Sequence, residues 1–127
     1  MTPRHPRPHV LLVEDDPAVR DATRLLLTAG GCRVSTAADA KSAERIALAD
    51  DGIDAVVTDH FLEGDLSGAQ MVDRLRRLCS APLKAIMLTG DPAAAARELR
   101  GDEHTRLMSK PVRAEEFLAV LHELLSA

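Results

Sequence analysis

Apolar residues fall into five short runs and five longer stretches of helical spacing, in strict alternation along the chain. Val10-Leu11-Leu12-Val13 is an uninterrupted apolar run of strand length. Asp16-Pro17 then supplies an N-cap and a first-turn proline, and Val19, Ala22, Leu26 and Ala29 recur at helical spacing until Gly30-Gly31. Residues 33–37 alternate polar with apolar side chains and predict a second, half-exposed strand. Asp39 caps a helix whose inward positions are Ala40, Ala43, Ile46 and Ala47. The turn Asp51-Gly52 leads into a third strand over residues 53–58. A loop over residues 61–67 containing Gly64 follows, then a helix with Met71, Val72, Leu75, Leu78 and Cys79 on one face. Pro82 precedes the fourth strand at residues 84–88. Asp91-Pro92 opens an alanine-rich helix that ends near Gly101, and residues 104–108 make a short fifth strand. The last helix, from about Ala114 to Ser126, carries Phe117, Leu118, Leu121, Leu124 and Leu125 as one stripe.

Five strands alternating with five helices form a (βα)5 chain of the α/β class. Consecutive parallel strands need a crossover helix, so the expected architecture is an open five-stranded parallel sheet with helices on both faces. A length of 127 residues suits one domain. Residues 1–8, with three prolines and two arginines, are expected to be a flexible lead-in to a domain over residues 9–126.

Composition narrows the function. The chain is 46% hydrophobic and 28% charged, ordinary for a globular protein, but only 2% aromatic. Phe61 and Phe117 are its two rings, too few for a base-stacking nucleic-acid module. Sixteen Lys and Arg against twenty Asp and Glu give a net charge of −4, with no general attraction to nucleic acid or anionic membrane. No apolar stretch approaches the ~20 residues that span a bilayer, and the N-terminus lacks the apolar core of a signal peptide. Cys32 and Cys79 show no metal spacing and are expected as reduced thiols in the cytoplasm.

In such a sheet, ligands bind beyond the carboxyl ends of the strands. Glu14, Asp15 and Asp16 follow the first strand, Asp59 the third, Thr89 and Gly90 the fourth, and Lys110 and Pro111 the fifth. Several carboxylates gathered in one crevice repel each other until a cation joins them, and Mg²⁺ suits one or two carboxylates plus waters and phosphate oxygens. Lys110 and Thr89 then make sense beside a phosphoryl group, one as a charged donor and the other as a neutral one. The expected chemistry is phosphorylation of a carboxylate oxygen.

These residues resemble the receiver domain of two-component response regulators. The matching pieces are Val13-Glu14-Asp15-Asp16, Asp59, Thr89-Gly90 and Lys110-Pro111, each at the end of the expected strand, and the resemblance covers about residues 9–126. It implies the flavodoxin-like receiver fold with strand order 2-1-3-4-5. It also implies that Asp59 accepts phosphate from a sensor histidine kinase or a histidine phosphotransfer protein. Asp15 and Asp59 would then ligate Mg²⁺, with Glu14 acting largely through water and Phe61 offering its main-chain carbonyl. Lys110 would pair with the phosphoryl group, Thr89 would be the switch hydroxyl, and Lys110-Pro111 would be cis. The output would be a downstream protein target, reached without direct contact to nucleic acid.

The sequence departs from that pattern in places. Leu107 stands where regulatory members carry Tyr or Phe, so the aromatic half of the switch is missing. The loop after Asp59 is one residue longer than the commonest spacing and has Glu63 where proline is frequent, as in receivers attached to hybrid histidine kinases. Phe61 is expected to shield an acyl phosphate from water, and Asp91 is the other position able to order an attacking water. Asp16 reads as an N-cap, His60 as an exposed loop histidine, and Arg74, Arg76 and Arg77 as a solvated helix face. The flanks of the last helix offer a face for a homodimer.

The leading reading is a single-domain switch or phosphotransfer shuttle rather than an enzyme. The alternative is a receiver cut from a hybrid histidine kinase or multidomain regulator. A Mg²⁺-dependent aspartyl-phosphate phosphatase would need a carboxylate two residues after Asp59, where Phe61 stands. A flavin carrier would need a first loop that attracts phosphate, and Glu14-Asp15-Asp16 repels one. A DNA-binding regulator would need a basic helix-turn-helix that this chain lacks.

Overall fold

The computed structural model describes residues 7–50, 52–62, 64, 66–79, 83–99 and 102–126. Asp51, Glu63, Pro82, Gly101 and most of the N-terminal lead-in, all singled out above, lie outside the described residues. The strands are β1 (His9–Val13), β2 (Arg33–Ala37), β3 (Ala55–Asp59), β4 (Lys84–Thr89) and β5 (Thr105–Ser109). The helices are α1 (Pro17–Ala29), α2 (Ala40–Ala49), α3 (Gly68–Leu78), α4 (Pro92–Leu99) and α5 (Ala114–Ser126). All neighbouring strands pair in parallel, in the order β2-β1-β3-β4-β5. Because β1 sits between β2 and β3, the order reverses beside it, and that reversal opens a crevice at the carboxyl ends of β1 and β3.

The alternation of side chains along each strand sorts the core into two layers. Leu11, Val13 and Val56 pack with Ala43, Ala47, Met71 and Leu75 under α2 and α3. Val10, Leu12, Val57 and Ile86 pack with Leu27, Phe117, Leu121 and Leu124 under α1 and α5. β1 and β3 are buried along their whole length, which explains the apolar runs Val10 to Val13 and Ala55 to Val57 within them. The caps read from the sequence form. Asp16 accepts from the amides of Ala18 at 2.9 Å and Val19 at 3.3 Å, and Asp39 from Ser42 at 2.8 Å. Ser67 and Gln70 close a reciprocal capping box on α3. Gly31, at a φ of 95°, turns the chain out of α1.

Two local expectations are corrected. Helix α1 does not bury Val19, Ala22 and Ala29, which are exposed; Leu27 is fully buried and Leu26 half-buried. The helix is rotated so that its paired leucines meet the sheet, since they remove more apolar area from water than alanines do. Strand β3 begins at Ala55 rather than Ile53. Ile53 is buried but precedes the ladder, and the Asp54 amide instead donates to the His9 carbonyl at 2.8 Å.

Candidate functional site

Three carboxylates converge at the crevice. Glu14, Asp15 and Asp59 each offer an oxygen, and these oxygens lie within 4.8 Å of one another. The loop after β1 is held in place by its own backbone chemistry. The Glu14 amide donates to the Ala37 carbonyl at 3.0 Å, and its carbonyl accepts from the Arg20 guanidinium at 2.9 Å. The Asp16 amide donates to Glu14 Oε2 at 3.2 Å, so the N-cap of α1 also steers the acid. Asp59 ends β3 and is 8% exposed. Behind it, Gly68 opens α3 so close to the strand that a Cβ there would sit 2.1 Å from the Asp59 carbonyl oxygen. Only glycine lets helix and acid approach this far.

Lys110 enters from beyond β5. Its amide donates to the Thr89 carbonyl at 2.8 Å, and its Nζ lies 2.8 Å from Asp59 Oδ1. The Lys110–Pro111 peptide is cis, as the resemblance implied. The ion contact is not an aligned hydrogen bond, and Asp59 Oδ1 is a buried oxygen with no hydrogen-bond partner. Burial, above all, and then the proximity of Asp15 and Asp59, push the Glu14 carboxyl up to about 7 from its ordinary 4.5. A buried carboxylate oxygen with no aligned hydrogen bond and a carboxyl driven toward its neutral form mark a donor set that suits a hard cation.

Thr89 is buried at the end of β4. Its hydroxyl accepts from the Asp91 amide at 2.9 Å and meets His60 Nδ1 at 3.3 Å. Asp91 caps α4, its Oδ1 accepting from the Ala94 amide at 3.2 Å. Gly90 has open space where a Cβ would stand, and Leu107 is half-buried on β5. Phe61 is 69% exposed, and its ring leans on His60 with centroids 4.2 Å apart.

Two expectations for basic residues are overturned. His60 is not an exposed loop histidine but 2% exposed, because Glu98, Thr89 and Phe61 enclose it from three other positions. Arg76 is not part of a solvated face. Its Nε donates to the Leu83 carbonyl at 2.8 Å, a second nitrogen donates to Thr105 Oγ1 at 3.0 Å, and a third pairs with Asp102. Arg77 is exposed as expected, and the exposed Arg74 pairs with Glu44 at 2.7 Å. Apart from Phe61, these partners come from other segments, and nothing adjacent to His60 or Arg76 in sequence signals them.

The arrangement of an acidic cluster, a lysine and a hydroxyl at the ends of four strands has relatives. The chain matches the response regulator receiver domain family over residues 10–122. It belongs to that family. Receivers are the regulatory phosphoacceptor domains of two-component signalling. The transcriptional regulatory protein AfsQ1 of Streptomyces coelicolor is 39% identical to this receiver over 82 residues, covering 65% of this chain and 35% of that protein. This chain therefore spans about a third of that relative's length. The receiver of an HD domain-containing protein from Pseudomonas fluorescens Pf-5 superposes with a TM-score of 0.81 at 27% identity, covering 94% of this chain and 95% of that one. A response regulator receiver protein from Sinorhizobium medicae shares the fold, with a TM-score of 0.84 at 21% identity over 95% and 96% of the two chains. No helix among the described residues is long and apolar enough to cross a membrane.

Proposed function

We propose that Asp59 is the phosphoacceptor of this receiver, which takes phosphate from a phosphohistidine on a sensor histidine kinase or histidine phosphotransfer protein. The P–N bond breaks as the P–O bond to the Asp59 carboxylate forms. The observation that carries this reading is the buried Asp59 oxygen, 2.8 Å from Lys110 Nζ and clustered with Glu14 and Asp15. Lys110 is then in reach to balance the charge that builds on the transferred group, and Thr89 to donate its hydroxyl once the phosphoryl group is in place. Asp15, Asp59 and the Phe61 carbonyl would hold Mg²⁺, with Glu14 acting through water. Bound there, Mg²⁺ would neutralise the acids and polarise the phosphoryl oxygens. Gly90, Asp91, Leu107 and Pro111 would modulate the site rather than touch phosphorus.

In this reading residues 9–126 form a cytoplasmic switch or shuttle that acts on a downstream protein, and residues 1–8 lead into it. Turnover is limited to slow self-phosphorylation and self-dephosphorylation. A second reading, a receiver that works within a longer regulator or hybrid kinase, draws support from a match to only a third of AfsQ1. The full reading frame separates the two.

The test is incubation with Mg²⁺ and a small phosphodonor such as acetyl phosphate, followed by intact mass. The expected result is a gain of one phosphate that hydroxylamine removes and Asp59→Asn abolishes. Phosphate gained elsewhere, or by the Asn variant, would overturn the assignment.

A further inference from the structure

His60 joins four parts of the molecule. Its Nε2 lies 2.6 Å from Glu98 Oε2 in the last turn of α4, and its Nδ1 lies 3.3 Å from Thr89 Oγ1 at the end of β4. The other Glu98 oxygen accepts from the hydroxyl of Ser67, the N-cap of α3, at 2.6 Å. The imidazole itself is 3% exposed, and the Phe61 ring leans against it.

The direction of each hydrogen follows from the groups. The Ser67 and His60 hydrogen bonds hold the Glu98 carboxyl below the usual range, so Glu98 is ionised and only accepts. Nε2 must therefore carry a hydrogen. In the tautomer with its hydrogen on Nε2 alone, Nδ1 keeps a lone pair, and the Thr89 hydroxyl donates to it while accepting from the Asp91 amide. In that tautomer the single hydrogen of Thr89 points at His60.

Helix α4 depends on this connection. Of its eight residues only Ala95 is buried, so apolar packing anchors it weakly. Among the described residues, Glu98 is the one side chain of α4 that hydrogen-bonds to another element.

We propose that His60 is a positioning residue that parks the Thr89 hydroxyl and clamps α4 through Glu98, so that capture of that hydroxyl by a phosphoryl group on Asp59 releases the helix. This rests on Asp59 being the phosphoacceptor. One hydroxyl hydrogen serves either Nδ1 or a phosphoryl oxygen. The bond to Nδ1, at 3.3 Å, is long for its kind, whereas a charged phosphoryl oxygen binds a hydroxyl about twice as strongly as a neutral acceptor does. The exchange therefore favours the phosphoryl group, and the ring loses one of the two bonds that fix it. Signal then reaches α4 through an imidazole and a carboxylate, with no aromatic ring needed at Leu107.

The experiment is NMR on the full chain with alanine methyls and backbone amides labelled, using beryllofluoride with Mg²⁺ as the phosphoryl stand-in. In the wild type, Thr89 and the methyls of α4 should both shift on its addition. Glu98→Ala, a change at the surface, and His60→Leu should each raise amide exchange in resting α4 about tenfold. In both variants Thr89 should still respond, while the shift of the α4 methyls falls to less than a third of the wild-type value. Unchanged exchange and an unchanged α4 response in Glu98→Ala would overturn the clamp, whether or not His60→Leu folds. A wild type in which Thr89 does not respond would instead remove the phosphoacceptor reading, and the release mechanism with it. The resting exchange rates report on the clamp independently of that outcome.

Discussion

The ammonium of Lys110 and the carboxylate of Asp59 meet at 2.8 Å although β4 lies between the strands that deliver them. The lysine reaches across because its own amide is tied to the Thr89 carbonyl, which places the residue over the neighbouring strand rather than its own. The ammonium it carries is a compact point charge beside the acid.

Removing that charge should slow chemistry without unfolding the protein, since Lys110 is almost half exposed. Lys110→Gln is expected to lower the initial rate of phosphate gain by roughly 10²–10³-fold. Its circular dichroism spectrum should match the wild type. A rate within a factor of about three would show that the ammonium is a bystander.

Acidity at Glu14 makes the metal-free protein pH-sensitive. The folded carboxyl titrates at about 7 and the ordinary one at 4.5, so folding takes up a proton between those values. This group's stabilisation is complete below 4.5 and is lost as pH rises through 7. His9 acts the other way. Its pKa is lowered from 6.5, chiefly by burial and then by Arg33, so its contribution is complete above 6.5 and lost as pH falls. Subtracting the Tm of Glu14→Gln from that of the wild type isolates the first effect. That difference should fall as pH rises from about 5 to about 8, and saturating Mg²⁺ should recover it at the upper end. A flat difference would contradict the placement of Glu14 among the acids.

Gly68 makes a third prediction. A Cβ 2.1 Å from the Asp59 carbonyl forces α3 off the strand, so Gly68→Ala is expected to destabilise by about 1–3 kcal/mol in denaturant titration. It should also slow phosphate uptake, because the same shift displaces Asp59. Gly90→Ala, where a Cβ meets nothing within 4 Å, should change stability by less than about 0.5 kcal/mol.

Arg76 and Arg77 are neighbours on α3 with opposite prospects. Arg76 satisfies Leu83, Thr105 and Asp102 together from a largely covered position. Arg76→Ala leaves the Asp102 carboxylate without its cation and is expected to cost about 2–3 kcal/mol. Arg77→Ala at the exposed position should stay within about 0.5 kcal/mol. Equal losses in urea titrations would refute the distinction.

What the sequence reveals and conceals follows from the range of each interaction. Strands and caps are local: the Val10 to Val13 run, Asp16 before Pro17 and Asp39 before α2 each carry their signal within a few residues. The acids and Lys110 are legible because parallel strands bring whatever follows them to one end. The inward face of α1 is not, because Leu25, Leu26 and Leu27 stand in a row and only the sheet decides that Leu27 is buried and Leu25 exposed. His60 is hidden for a stronger reason. Its partners Thr89 and Glu98 lie 29 and 38 positions away, and a lone histidine beside an apolar strand gives no hint of either.

The two ends of the folded chain leave from the pole opposite Asp59. Pro8 accepts from the Arg33 amide at the start of β2, and Leu124, near the end of α5, accepts from Lys84 at the start of β4. A dye, a bead or a fused protein joined to the chain beside Pro8 or in the last turn of α5 would therefore hang below the sheet. Immobilised this way, the molecule would present its acidic mouth to solution, ready for kinetic measurements on a surface.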